Sequence, residues 1–119
     1  MANSLQQTAE ATTLHVKAST QKLNLVAQLI RGKSAAQAMN LLAFTNKKAA
    51  KEVLETVRSA IANAENNHNM DVDRLVVSQA FVGKTMKLKR FSARGRGRSA
   101  SIMKHFSRVT VILTEQEAA

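Results

Sequence analysis

Arg94-Gly95-Arg96-Gly97-Arg98 is the stretch with the plainest chemistry. Glycines alternate with guanidinium groups, so a backbone able to bend sharply presents planar, bidentate donors of the kind that grip phosphate oxygens. Arginine planes also stack on splayed bases, which suits folded RNA. Around this run lie Arg74, Lys84, Lys87, Lys89, Arg90, Lys104 and Arg108, and from Arg74 to Arg108 there is no Asp or Glu. That segment holds ten of the 18 Lys and Arg residues; the rest of the chain carries eight basic and eight acidic residues, so the net charge of +10 belongs to one segment. Such segregation is the electrostatic footprint of a polyphosphate partner. Two other readings fit a basic tract: a flexible segment making nonspecific contacts, and a DNA-bending arm in a minor groove. The second is disfavoured because such arms place an apolar wedge or Pro at the tip, and here the tip carries Arg and Gly.

No other constellation supports chemistry. His15, His68 and His105 lack the i, i+4 or short-loop spacing of metal ligands. Gly83-Lys84-Thr85 only mimics the end of a phosphate-cradling loop, and no Ser sits in a Gly-x-Ser-x-Gly elbow. Glu52, Glu55 and Glu65 fall on a predicted helix and Asp71 and Asp73 in a polar turn, a poor arrangement for a paired acid and base. We expect no catalytic residue, no metal and no cofactor. The absence of Cys excludes disulfides, and no stretch approaches the ~20 apolar residues of a membrane span, so a soluble, cytoplasmic protein without a membrane partner is expected.

The elements that must position the basic run follow from periodicity. Residues 1–11 read as a loose polar tail, and Thr12 to Lys17 as a short strand with Leu14 and Val16 on one side and His15 and Lys17 on the other. Ser19 or Thr20 can cap a helix with Leu23, Val26, Ala27 and Ile30 at helical spacing, stopped by Gly32. Ser34 and Gln37 have capping-box spacing ahead of a second helix with Ala35, Ala38, Met39 and Leu42 on one face. The third and longest helix carries the stripe Ala49, Ala50, Val53, Leu54, Val57, Ala60, Ile61 and Ala64, and ends near Asn66. Leu75 to Val82 and Val109 to Leu113 are rich in β-branched residues and read as antiparallel strands. About 27 residues separate Phe81 from Val109, far beyond an ordinary hairpin loop. Paired as strands at ~3.3 Å per residue, the two halves would carry the tip ~40 Å outward.

The expected fold class is therefore α+β: three helices packed on a small three-stranded antiparallel sheet, with a long protruding β-hairpin. The 119 residues make one domain, with a tail (1–11), a globular body (12–82 and 107–115) and an extended basic hairpin (83–106).

Several runs in order carry a family resemblance: Gln21-Lys22-Leu23, Leu29-Ile30-Arg31-Gly32-Lys33, Asn46-Lys47-Lys48-Ala49-Ala50, Ser59-Ala60-Ile61-Ala62-Asn63-Ala64-Glu65-Asn66-Asn67, Lys89-Arg90, and Ala93 to Arg98. From about Leu14 to Glu115 the chain resembles bacterial large-subunit ribosomal protein twenty-two. The resemblance implies a structural constituent of the large ribosomal subunit in the cytoplasm. Such a protein binds large-subunit (23S-type) rRNA, assists subunit assembly, contacts neighbouring large-subunit proteins, and is not a homo-oligomer.

It implies RNA contacts by Lys22, Arg31 and Lys33 on the body, and by Lys89, Arg90, Arg94, Arg96 and Arg98 on the hairpin; the charge run adds Lys84, Lys87, Lys104 and Arg108 to the expected RNA contacts. A hairpin tip of Lys89, Arg90, Phe91, Ser92, Ala93, Arg94, Gly95 and Arg96 would line the nascent-peptide exit tunnel and meet the nascent peptide. Family members commonly carry Pro where this chain has Met86 and Ala93, and Arg is frequent at the position of Asn24. Without Pro to restrict φ, a less rigid free arm is expected.

Overall fold

The computed structural model describes residues 8–94 and 98–116, with side-chain positions outside 90–103. Its elements run β1 (Thr8–Val16), α1 (Thr20–Ile30), α2 (Ala35–Ala43), α3 (Ala50–His68), a short 3-10 turn (Val72–Arg74), β2 (Leu75–Arg94) and β3 (Arg98–Glu115). The three strands form one antiparallel sheet in the order β1-β3-β2. The fold is α+β, with three helices against this sheet and a long β2–β3 hairpin, as the sequence implies.

Local chemistry sets the helix boundaries. The Ser19 and Ser34 side chains accept from the backbone N–H groups of Lys22 and Gln37, satisfying donors that a helix start leaves open. Gly32 takes φ +77°, ending α1 in the left-handed region, and Asn69 ends α3 at φ 52°. The left-handed turn at Asn69 sends buried Met70 back under α3, where its N–H donates to Ala64 O at 3.0 Å.

Leu23, Val26 and Ile30 of α1 and Val53, Val57, Ala60 and Ala64 of α3 are fully buried against Val77, Val109, Val111 and Leu113 of the sheet. Burying each such Val, Leu or Ile side chain contributes roughly 1.5–3 kcal/mol. Thr56 interrupts the apolar stripe of α3 yet is buried too. It donates to Glu52 O at 2.9 Å, so its contact with Thr13 Oγ1 must be one in which Thr13 donates.

Two sequence expectations need correction. Strand β1 begins at Thr8, so residues 8–11 are paired with β3 and do not belong to a loose tail; residues 1–7 lie outside the described residues. Leu14 and Val16 also do not share a side. The register slips between Thr13 and Val16, where three steps of β1 span two of β3 and His15 adopts φ 61°. The extra residue flips the alternation: Val16 turns into the core while Leu14 stays 58% exposed. A similar irregularity between Val77 and Gln79 lets Leu75, Val77 and Ala80 all face inward, and Ser78 Oγ donates to Ile112 O at 3.0 Å beside it.

The outer edge of β2 is closed by the link between α1 and α2. Gly32 N–H donates to Val77 O at 3.0 Å, and Val77 N–H donates to Lys33 O at 2.8 Å. The two bonds make a strand-like bridge that the left-handed Gly32 permits. No atom comes within 4 Å of a Cβ built on Gly32, so Gly32→Ala meets backbone strain without steric overlap. It should destabilise the fold by roughly 1–2 kcal/mol, read as a lower urea midpoint with unchanged m-value.

Candidate nucleic-acid interface

The arm is the outward continuation of the body's own ladder. Pairing of β1 stops at Val16↔Ser107, while β2 and β3 stay paired from Leu75↔Glu115 through Lys84↔Ser107 to Arg94↔Arg98. Beyond Ser107 the three-stranded sheet thus becomes a two-stranded ribbon, and the molecule measures 68 Å along one axis against 30 and 23 Å across. An isolated two-stranded ribbon is marginally stable in water, so the body has to hold its base.

Three features anchor that base. Ser107 is buried, and its hydroxyl donates to Ala18 O at 2.8 Å, tying β3 to the connection into α1. Arg108 lies across Gly83, its paired residue: a Cβ on Gly83 would sit 3.0 Å from Arg108 Nε. The absence of a Cβ lets the guanidinium lie this close; a side chain at Gly83 would displace the end of Arg108 by a few tenths of an ångström. A bulge between Lys84 and Met86 then re-aims the ribbon, with the Thr85 hydroxyl buried there and no partner for it among the described residues.

Lys84 and Arg108 at this neck, and Lys87, Lys89, Lys104 and His105 outward from it, are exposed. Paired positions place Lys87 opposite His105 and Leu88 opposite Lys104, while Leu88 and Phe106 are half-buried. The ribbon therefore offers cations on a partly apolar support. Arg90, Phe91, Ser92, Ala93, Arg94 and Arg98 are described as paired backbone positions, with Arg94 and Arg98 directly across from each other. Gly95 and Arg96 of the expected tip lie outside the described residues, as does Gly97.

The three body residues expected alongside the arm are not brought to one point. Lys22 is exposed on the first turn of α1, beside a groove that also holds Lys17, Lys47 and Lys48. Lys33 is exposed, and its backbone completes the β2 edge bridge. Arg31 has a structural task that its charge concealed: Nε donates to Ala80 O at 2.7 Å, and a terminal nitrogen donates to Asn24 Oδ1 at 2.8 Å. It satisfies a β2 edge carbonyl that no strand covers. Asn24, where Arg is frequent in the family resembled, here accepts from that guanidinium.

Sequence reading missed Lys17, Lys47 and Lys48 as partners of Lys22, because the three segments are far apart in the chain. Opposite the arm, at the far end of the ladder, Asp71 N–H donates to Glu115 Oε2 at 2.8 Å and Arg74 pairs with Glu115 at 4.0 Å. No group of three or more His, Cys, Asp or Glu among the described residues could hold a metal. No helix among them is long and apolar enough to cross a membrane.

A small α+β body from which a basic two-stranded arm projects is the class of protein that fold and charge define. The sequence pattern of the family described as ribosomal protein L22p/L17e matches residues 11–114, and the chain belongs to that family. Its curated relatives include the large ribosomal subunit protein uL22 of Zymomonas mobilis, 58% identical over 111 residues that cover 93% of this chain and 86% of the relative. Those of Maricaulis maris (55% identical, 93% and 88% covered) and Rhodopseudomonas palustris (56%, 92% and 86%) are similar to comparable degrees.

The dual bond of Arg31 separates a structural role from a binding one. Arg31→Ala should lower stability by about 1–2 kcal/mol in urea denaturation of the free protein, because Ala80 O loses a charged donor. Arg31→Lys should recover less than half, since one ammonium cannot reproduce the planar fork.

Proposed function

We propose that the chain is a structural constituent of the large ribosomal subunit whose arm binds large-subunit rRNA, assists folding of that RNA during assembly, and presents its tip to the nascent peptide in the exit tunnel. The observation that carries this reading is the coincidence of charge and shape. Nine of the ten cations of the acid-free segment, those from Lys84 to Arg108, lie where β2 and β3 leave the body as a ribbon. Membership of a family of ribosomal proteins and the printed names of the relatives support it. So does the placement of Lys84, Lys87, Lys89, Lys104 and Arg108 in solvent.

In mechanism, the cations of the arm replace the counterions condensed on RNA, and the release of those ions drives association. Arginines at the tip add bidentate phosphate contacts and stacking on unpaired bases. The neck gives this electrostatic binding a direction, since Ser107 and Arg108 fix how the ribbon leaves the body. A ribbon held at one end loses less orientational freedom on binding than a free tract of the same composition.

The pairing allows a clean test. Residues Thr85 to Phe106 can be excised and replaced by a two-residue Asn-Gly turn, because Lys84 and Ser107 are facing positions. This removes seven Lys and Arg residues. Filter binding to large-subunit RNA should weaken at least about a hundredfold in low salt, and the salt slope should fall by up to about 5. Unchanged affinity for that RNA contradicts the reading.

A further inference from the structure

Lys22, expected to face RNA, stands on the wall of a groove beside α1 whose other lysines have no role in the arm. The groove is about 650 Å³, and its walls come from three separate segments: the link between β1 and α1, the exposed side of α1, and the link between α2 and α3. Lys17, Lys22, Lys47 and Lys48, all exposed, stand around it, with Glu52 as the single acidic residue among its lining. Its floor is apolar, made by Val16, Ala18, Leu25 and Ala49. Leu25 is 51% exposed, so its side chain is available to a molecule in the groove.

We propose that this groove is a second RNA site, one that holds a single unpaired nucleotide with its base on the apolar floor and its flanking phosphates on the lysines. The inference rests on the rRNA-binding reading and adds to it a defined groove and a single-nucleotide occupant. Three observations select this occupant. The volume lies in the range of pockets that take one small molecule, about 300–1,000 Å³, and is too small for a helix of another protein. Four ammonium groups against one carboxylate match an anion, and lysines suit phosphates as point charges.

The mixed lining is the third. A phosphate alone needs no apolar floor, whereas a splayed base needs an apolar face to lie on. The groove is also preformed. Val16 is buried at the bulge of β1, Ala18 O accepts from Ser107, and Ala50 N–H donates to Lys47 O at 3.1 Å, so two of its walls are anchored to the core. The chain outside Arg74–Arg108, formally neutral, thus has its own charge separation, with lysines at the groove and Asp71, Asp73 and Glu115 gathered around the start of β2.

The test uses the full chain and a single-stranded adenosine tetranucleotide as the probe. Methyl NMR should show shifts at Leu25, Val16 and Ala49 on titration. Lys47→Gln with Lys48→Gln should weaken tetranucleotide binding about tenfold in low salt and lower its salt slope by about 1.4. Lys84→Gln with Lys87→Gln and Lys104→Gln on the arm should change it less than about twofold.

An abasic tetramer of the same charge that binds as tightly overturns the proposal, as do methyl shifts confined to the arm. Equal displacement of the tetranucleotide by hexaglutamate reassigns the groove to an acidic peptide and overturns it too. The arm-excised chain on large-subunit RNA reports on the underlying reading separately. If that chain binds normally, the arm reading fails whatever the groove does, and if only the tetranucleotide arm of the experiment fails, the groove proposal alone is lost.

Discussion

Everything distinctive about this protein depends on β3 being the shared strand of the sheet. In the body it lies between β1 and β2, with Val109, Val111 and Leu113 pressed into the core, and beyond Ser107 the same strand is half of the arm. A ribbon of two strands and many cations does not hold its own shape in water. Continuity of one ladder from Leu75↔Glu115 to Arg94↔Arg98 transfers the rigidity of a packed core to a segment without a core. The neck contacts of Ser107 with Ala18 and of Arg108 over Gly83 are where that transfer takes place.

The helices serve this arrangement more than they serve binding. Helices α1 and α3 bury the inner face of the sheet, and the link after α1 closes the β2 edge through Gly32, Lys33 and Arg31. An open edge next to a basic arm would invite pairing with another chain; here the bridge and a guanidinium occupy it. Arg31 is exposed, yet its guanidinium is held by the Ala80 carbonyl and by Asn24, so this positive charge also has a structural task. On the other side of the sheet, Asn63 Nδ2 donates to Glu10 O at 3.0 Å and covers part of the β1 edge.

Much of this was legible from residue types. The caps at Ser19 and Ser34, the stop at Gly32 and the stripe of α3 each rest on local rules, and local rules survive folding. The arm was legible from charge, since no acidic residue interrupts Arg74 to Arg108. What escaped depends on register and on distance along the chain. Leu14 was misplaced because alternation assumes an unbroken pleat, and the bulge at His15 breaks it. The groove escaped because Lys17, Lys22 and Lys47 meet only after α1, α2 and α3 have packed. Arg31 escaped because its partners, Asn24 and Ala80, are set by that same packing.

A body-anchored β ribbon that carries the RNA contact, as proposed, must itself become protected when RNA binds. Residue-resolved hydrogen exchange with and without large-subunit RNA tests it most directly. Amides of 86–94 and 98–106 should exchange far more slowly with RNA bound, while those of Val57, Val111 and Leu113, protected in the free protein, change little. Protection gained only in the helices, with arm amides exchanging as fast as before, would contradict it.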